Sequence, residues 1–179
     1  NIMRCKWCNE TNPLYVEYHD SEWGIPSSDE KYLLEMLILE SFQAGLSWEC
    51  VLNKRHNFEV AYDYFDINKI INYDEDKINE LLSNNKIIRN KLKIKASINN
   101  AKIFKNIQKE YGSFNNYLIT FTNNKTLYEI GKVTNDLSDL ISKDLIRRGM
   151  KFVGSTIIYS YLQAIGVIYS HDKECFMYR

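Results

Sequence analysis

The stretch LLEMLILESFQAGLSW, Leu33 to Trp48, decides the fold. Leu33, Met36, Leu37, Glu40 and Ala44 recur at the spacing of one helical face. Ile38, Leu39 and Phe42 cover the other faces, which predicts a helix buried nearly all round. Glu40 stands against that pattern. An unpaired carboxylate in such surroundings costs on the order of several kcal/mol unless it is paired, hydrogen-bonded or protonated. Glu40 therefore has either a structural partner or a ligand to meet.

Helical signals continue on both sides. Ser27 with Glu30 three residues later reads as a capping box opening the Leu33 helix. Asp74, Glu75 and Asp76 place acid in the first turn of a helix running to about Leu82. Ile94, Ile98, Ala101 and Phe104 form a later stripe, and Leu137, Leu140, Ile141 and Leu145 another, stopped by Arg147, Arg148 and Gly149. Residues 153–165 are apolar again and end at Gly166. No alternating pattern of useful length appears, so the expected class is all-α. With 179 residues and 45% hydrophobic content, the chain fits one domain or two closely packed helical lobes.

No apolar run is long enough to span a membrane. The opening NIMRCKWCNE lacks an apolar signal segment, so the expectation is a cytoplasmic protein with reduced thiols. Net charge is zero, but its distribution is lopsided. Residues 1–80 carry 7 Lys/Arg against 16 Asp/Glu, and residues 81–179 carry 16 against 7. Lys86, Arg89, Lys91, Lys93, Lys95, Lys102, Lys105 and Lys109 follow one another without an intervening acid. Such a run is either a phosphate-binding face or simply a solvated helix.

Cys5 and His19 lie near the start, and His171 and Cys175, spaced H-x3-C, near the end. Two thiols and two imidazoles make a tetrahedral zinc set that would staple the termini together. Cys5-x-x-Cys8 is a competing ligand pair, and buried free thiols are the plain alternative. The segment PLYVEYHDSEWG delivers Tyr15, Tyr18 and Trp23, and Trp48 follows Glu40 by eight residues. A carboxylate among aromatic faces suits a flat cationic ligand, or a base turned out of a duplex. It equally suits an aromatic core in which Glu40 bonds a Tyr hydroxyl.

The segments RCKW, NPLYVEYHDSEWG, LESFQAGLSW, MKFVGSTIIYSYLQAIG and HDKEC occur in order along residues 4–175. Together they closely resemble the DNA-3-methyladenine glycosylase I family of bacteria. The resemblance implies a helix-hairpin-helix glycosylase fold, with the hairpin expected at NNKIIRNKLKI, residues 84–94. It implies one structural zinc on Cys5, His19, His171 and Cys175, joining the N- and C-terminal segments, with Cys8 a spare thiol. It implies that Glu40 hydrogen-bonds the flipped base, with Tyr18 and Trp48 against it and Tyr15 beside them. Gly45 and Leu46 would approach the duplex and fill the vacated space. Arg89, Lys91 and Lys93 would contact phosphate. The implied partner is alkylated double-stranded DNA, the product free 3-methyladenine, and the protein a monomer.

Two departures from the wider superfamily stand out. No glycine occurs between Gly45 and Gly112, so a hairpin at 84–94 lacks the usual Gly-rich turn. No Asp occurs between Asp76 and Asp136, where many superfamily members carry their catalytic carboxylate. A base made cationic at N3 leaves as a neutral molecule and needs no strong acid, so the chemistry accommodates that loss. No Lys is placed for a Schiff-base step, which implies a monofunctional hydrolase. Two other readings compete: a non-catalytic, zinc-stapled helical DNA-binding module, and an enzyme acting on a small cationic heterocycle.

Overall fold

The computed structural model describes residues 2–179. In chain order its helices are α1 (Pro13–Ser21), α2 (Glu30–Gln43), α3 (Trp48–Asn53), α4 (Arg55–Ala61), α5 (Ile67–Ile70), α6 (Glu75–Ser83), α7 (Lys91–Tyr111), α8 (Phe114–Thr122), α9 (Asp136–Arg147) and α10 (Ser155–Ala164). A single parallel pairing joins β1 (Leu127–Tyr128) to β2 (Ile168–Tyr169). The all-α expectation holds, since two-residue strands are too short to leave an alternating pattern. None of these helices is long and apolar enough to cross a membrane.

Helix α2 is the centre. Leu33, Leu34 and residues 36–42 are all buried, packed by α3, α7, α8 and α10. The helix starts are set by short polar side chains that accept backbone N–H bonds: Asn12 for α1, Asp74 for α6, Asn90 for α7, Ser113 for α8, and Asn135 with Ser138 as a reciprocal capping box for α9.

The expected Ser27–Glu30 box does not form. Asp29 caps α2 through Lys31 N (3.2 Å), and Ser27 Oγ accepts from Asp29 N before the helix begins. Glu30 reaches across the molecule, accepting from Phe114 N (2.6 Å), Asn115 N (3.0 Å) and Gln108 Nε2 (2.9 Å). A carboxylate at the N-terminus of α8 satisfies orphan N–H groups and complements the helix dipole, a stronger use than capping its own helix. Leu140 also departs from its stripe, lying 58% exposed while Ile141 and Leu145 are buried.

The ends of the chain meet over the end of α10. Gly24 N donates to Gln163 O and Ser27 N to Ile165 O. A Cβ on Gly166, whose φ is +83°, would stand 2.2 Å from the backbone of Ile25 and Pro26. Only glycine permits this approach.

Residues 84–94, the expected hairpin, join α6 to α7 through residues 84–90 with no left-handed backbone. Asn84 folds that link onto itself, accepting from Lys86 N. A glycine-framed link lies instead between α9 and α10. Gly149 (φ +102°) and Phe152 (φ +57°) turn the chain, and Asn100 pins it by accepting from Lys151 N and donating to Lys151 O.

Candidate functional site: an aromatic pocket around Glu40

Glu40 sits on the pocket-facing side of α2, 3% exposed, with no hydrogen bond to another described residue. Burial alone pushes its carboxyl up to about 8, so the empty pocket holds it largely protonated at neutral pH. The Tyr hydroxyl partner that a purely structural glutamate would need is not made.

The cavity, about 320 Å3, is lined by Glu40, by Tyr15 and Tyr18 from α1, and by Trp48 at the start of α3. All four sequence-predicted pocket residues therefore converge. Tyr18 and Trp48 lie 5.3 Å apart between ring centroids at 47°. Tyr18 is buried, and its phenol is raised well above its ordinary value, first by desolvation and then by the Glu40 charge.

Trp7 and Trp23 line the same cavity, in edge contact at 4.8 Å, and Trp7 packs on Tyr15 at 5.1 Å. Trp7, within RCKW, is a pocket residue that its position in the sequence does not by itself reveal. Its neighbour Cys5, stapled beside His19, was the signal that it had to lie against α1. The indole N–H groups of Trp7 and Trp48 are buried without a hydrogen-bond partner. Each such donor costs about 1–3 kcal/mol, and the Ser170 hydroxyl, which lines the same cavity, is also buried without a partner, so the pocket wall keeps these three groups beside the Glu40 carboxyl. That arrangement fits a flat heterocycle with both kinds of group on its edge.

The far wall comes from sequence-distant segments. Ser160 and Gln163 of α10, residues 130–132, Ser170 and Asp172 contribute to it. Of the α10 residues, Gln163 lines the cavity, Thr156 is exposed, and Tyr159 spends its hydroxyl on Glu129 (3.0 Å). Gln43 serves the pocket wall and the next turn, donating through Nε2 to Leu46 O (2.8 Å). In that turn Gly45 has φ +78° with open space around it, and Leu46 is held 40% exposed.

Arg89 and Lys91 are exposed at the approach to α7. Lys93 is not. It is 8% exposed, and its Nζ donates to Phe42 O (2.9 Å) and to Ala44 O. The expectation of a phosphate contact there is corrected: the ammonium satisfies carbonyls at the C-terminus of α2, where the helix dipole favours a cation. Lys93→Met is expected to lower stability by about 2–3 kcal/mol, read by urea unfolding, while the salt dependence of DNA binding stays as in the parent.

Cys5, His19, His171 and Cys175 are all buried, and their ligand atoms lie within 4.8 Å of one another. Each thiol lies 3.4 Å from His171 Nδ1, and Cys175 Sγ lies 3.5 Å from His19 Nε2. The outer ring nitrogens are held too. His19 Nδ1 donates to Asp20 (2.7 Å), which Arg4 grips, and His171 Nε2 donates to Trp23 O (3.0 Å). These contacts present the remaining nitrogens to a metal ion. Cys8 is buried but lies outside the cluster.

The sequence model of the methyladenine glycosylase family matches residues 7–178. DNA-3-methyladenine glycosylase 1 of Escherichia coli K12 is 41% identical, the match covering 99% of this chain and 97% of that one. A crystal structure of a 3-methyladenine DNA glycosylase I superposes with a TM-score of 0.94 at 38% identity, covering 99% and 100%. The enzyme from Staphylococcus aureus, solved to explain its recognition of 3-methyladenine, gives 0.91 at 32% identity, covering 97% of each chain.

Proposed function

We propose that this chain, which belongs to the methyladenine glycosylase family, is a DNA repair enzyme that excises 3-methyladenine from alkylated DNA by flipping the base into the Glu40 pocket. The observation that carries this reading is a buried carboxylate with no protein partner, set among aromatic rings and two unpartnered indole N–H groups.

The chemistry asks little of an acid. The alkylated base is cationic, so the electron pair of the C1′–N9 bond passes to it and it departs neutral. Water adds at C1′ and gives up a proton. Glu40 accepts hydrogen bonds from the base and favours its positive charge, while Tyr18 and Trp48 hold its faces. An unmethylated adenine offers no such charge and a stronger bond, so capture and lability discriminate together. The product is an uncleaved strand with an abasic site.

The substrate is read as duplex and the protein as a monomer. Leu46, held on the Gly45 turn at the mouth, fills the space that the base leaves. Arg89 and Lys91 take phosphates beside it. The phosphate-binding hairpin is assigned to the α9–α10 turn rather than to 84–94. There the N–H groups of Val153, Gly154, Ser155 and Thr156 make no hydrogen bond to protein, and Arg147 and Lys151 stand exposed. Unpaired N–H groups at a helix start, flanked by basic residues, suit an anion.

The Cys/His cluster is read as a structural zinc site. Zn–S near 2.3 Å and Zn–N near 2.05 Å give a tetrahedral S···N edge of about 3.6 Å, against the 3.4–3.5 Å found. All four positions are protein ligands, so the metal would hold the fold and leave no water to activate. The zinc-stapled binding module without catalysis would need none of the unmet groups around Glu40.

The test is release of free base from methylated duplex DNA. Release of 3-methyladenine without strand cleavage, lost in Trp48→Ala, is expected. No release by folded protein that binds DNA would leave only the binding module.

A further inference from the structure

The charged residues lining the pocket are Glu40, Asp172 and Lys132. Glu40 is buried and keeps its proton, so Asp172 is the lining charge that opposes an approaching polyanion, and Lys132 offsets it. It belongs to the segment between β1 and α9, and Glu129 fixes that segment in place. Glu129 Oε1 accepts from Tyr159 OH (3.0 Å) and from Asn135 Nδ2 (2.7 Å), and Oε2 faces Lys132 Nζ at 3.3 Å. The Lys132 side chain is 57% exposed, so it stands at the rim and not on the floor.

Three features fit a DNA strand passing over this rim. Lys132 is the exposed half of its ion pair, while Glu129, 14% exposed, keeps its bonds from Tyr159 and Asn135, so the ammonium can turn to a phosphate and leave the carboxylate still hydrogen-bonded. Gly131 has φ +82° with nothing within 4 Å of an added Cβ, the same openness as the Gly45 turn. Ile130 and Val133 on either side are 40% and 70% exposed. A base seated in the pocket brings its own phosphates to the rim. The base itself, being cationic, would be repelled by Lys132.

Building on the glycosylase reading, we propose that Lys132 is a positioning residue that takes a phosphate of the damaged strand beside the flipped nucleotide, making residues 129–133 a third DNA-contacting turn. Duplex affinity across a salt series separates this from other roles, with free 3-methyladenine binding measured in parallel by tryptophan fluorescence. K132Q should weaken duplex binding roughly three- to tenfold and reduce the slope of log K against log salt by about 0.9. K132R should keep the slope, and free-base affinity should stay unchanged in both.

An unchanged slope in K132Q would overturn the proposal. So would an equal change in free-base affinity, which would place Lys132 on the base. A borohydride-trapped DNA adduct lost in K132Q would also overturn it, making Lys132 a nucleophile at C1′. Wild-type base release is assayed alongside. Its absence counts against the enzymatic reading, whereas intact release with an unchanged slope counts against Lys132 alone.

Discussion

Glu40→Gln should lower kcat/KM for 3-methyladenine excision by about 10- to 100-fold and, at pH 8, make the protein more stable. The first effect follows from losing a charged acceptor in a dry pocket, where such a bond contributes about 1.5–3 kcal/mol. The glutamine keeps the size and one acceptor, so the cavity persists while the preference for a cation goes. The second follows from the raised carboxyl. The unfolded chain ionises near the ordinary value of 4.5, whereas the folded pocket keeps the proton up to about 8. Between those values the folded state binds more protons, so wild-type stability falls as pH rises, and the fall ends above 8. Gln carries no such penalty and should gain on the order of 3 kcal/mol at pH 8, and little at pH 4.5. Melting curves of both proteins at the two pH values decide it. A Tm difference independent of pH would mean that Glu40 is satisfied in the empty pocket. Excision should likewise rise with pH toward 8 in the wild type and stay flat in the variant.

On the structural-zinc reading, breaking the Cys/His cluster should be as damaging. Cys175→Ala is expected to abolish binding of one zinc per chain and to lower Tm by about 10–20 °C, taking several kcal/mol lost and about 2–4 °C per kcal/mol at this size. The reason lies in what the cluster ties together: Cys5 and His19 at one end, His171 and Cys175 at the other. Burial pushes the Cys5 thiol up to about 12, so a thiolate there depends on a cation beside it. The pocket shares those segments. Trp7 follows Cys5 by two residues, and Trp23 O accepts from His171. Excision should therefore fall with the metal although no ligand touches the base. Metal analysis with melting and base-release assays tests this. A metal-free protein that melts and turns over like the wild type would refute the staple.

Both predictions begin from residues legible in the sequence. The α2 helix and its buried acid could be read from spacing, because helical periodicity is local and an acid inside an apolar run is conspicuous by cost. The start of α6 was legible for the same reason, from the acids at 74–76, since a cap is made within three residues. The motifs of the family resemblance pointed to the pocket rings and to the Cys/His set.

Other features escaped because they depend on partners far along the chain. Glu30 had the right spacing for a local cap, yet the orphan N–H groups of α8 offered it more. Lys93 belonged to an exposed-looking basic run, yet the carbonyls ending α2 took its charge. The 84–94 link carries no left-handed backbone, and the left-handed residues and unpaired N–H groups that gather between α9 and α10 left no mark in the basic run.

Sequence by itself determined the helices, the misplaced acid and the inventory of rings and ligands, because these follow from the energetics of neighbours within a turn or two. Tertiary structure alone decided which groups are left without partners. Whether Glu40 or the Trp7 and Trp48 indoles are satisfied depends on what packs opposite, and folding brings part of that wall, Ser160, Gln163, Ser170 and Asp172, from more than a hundred residues away.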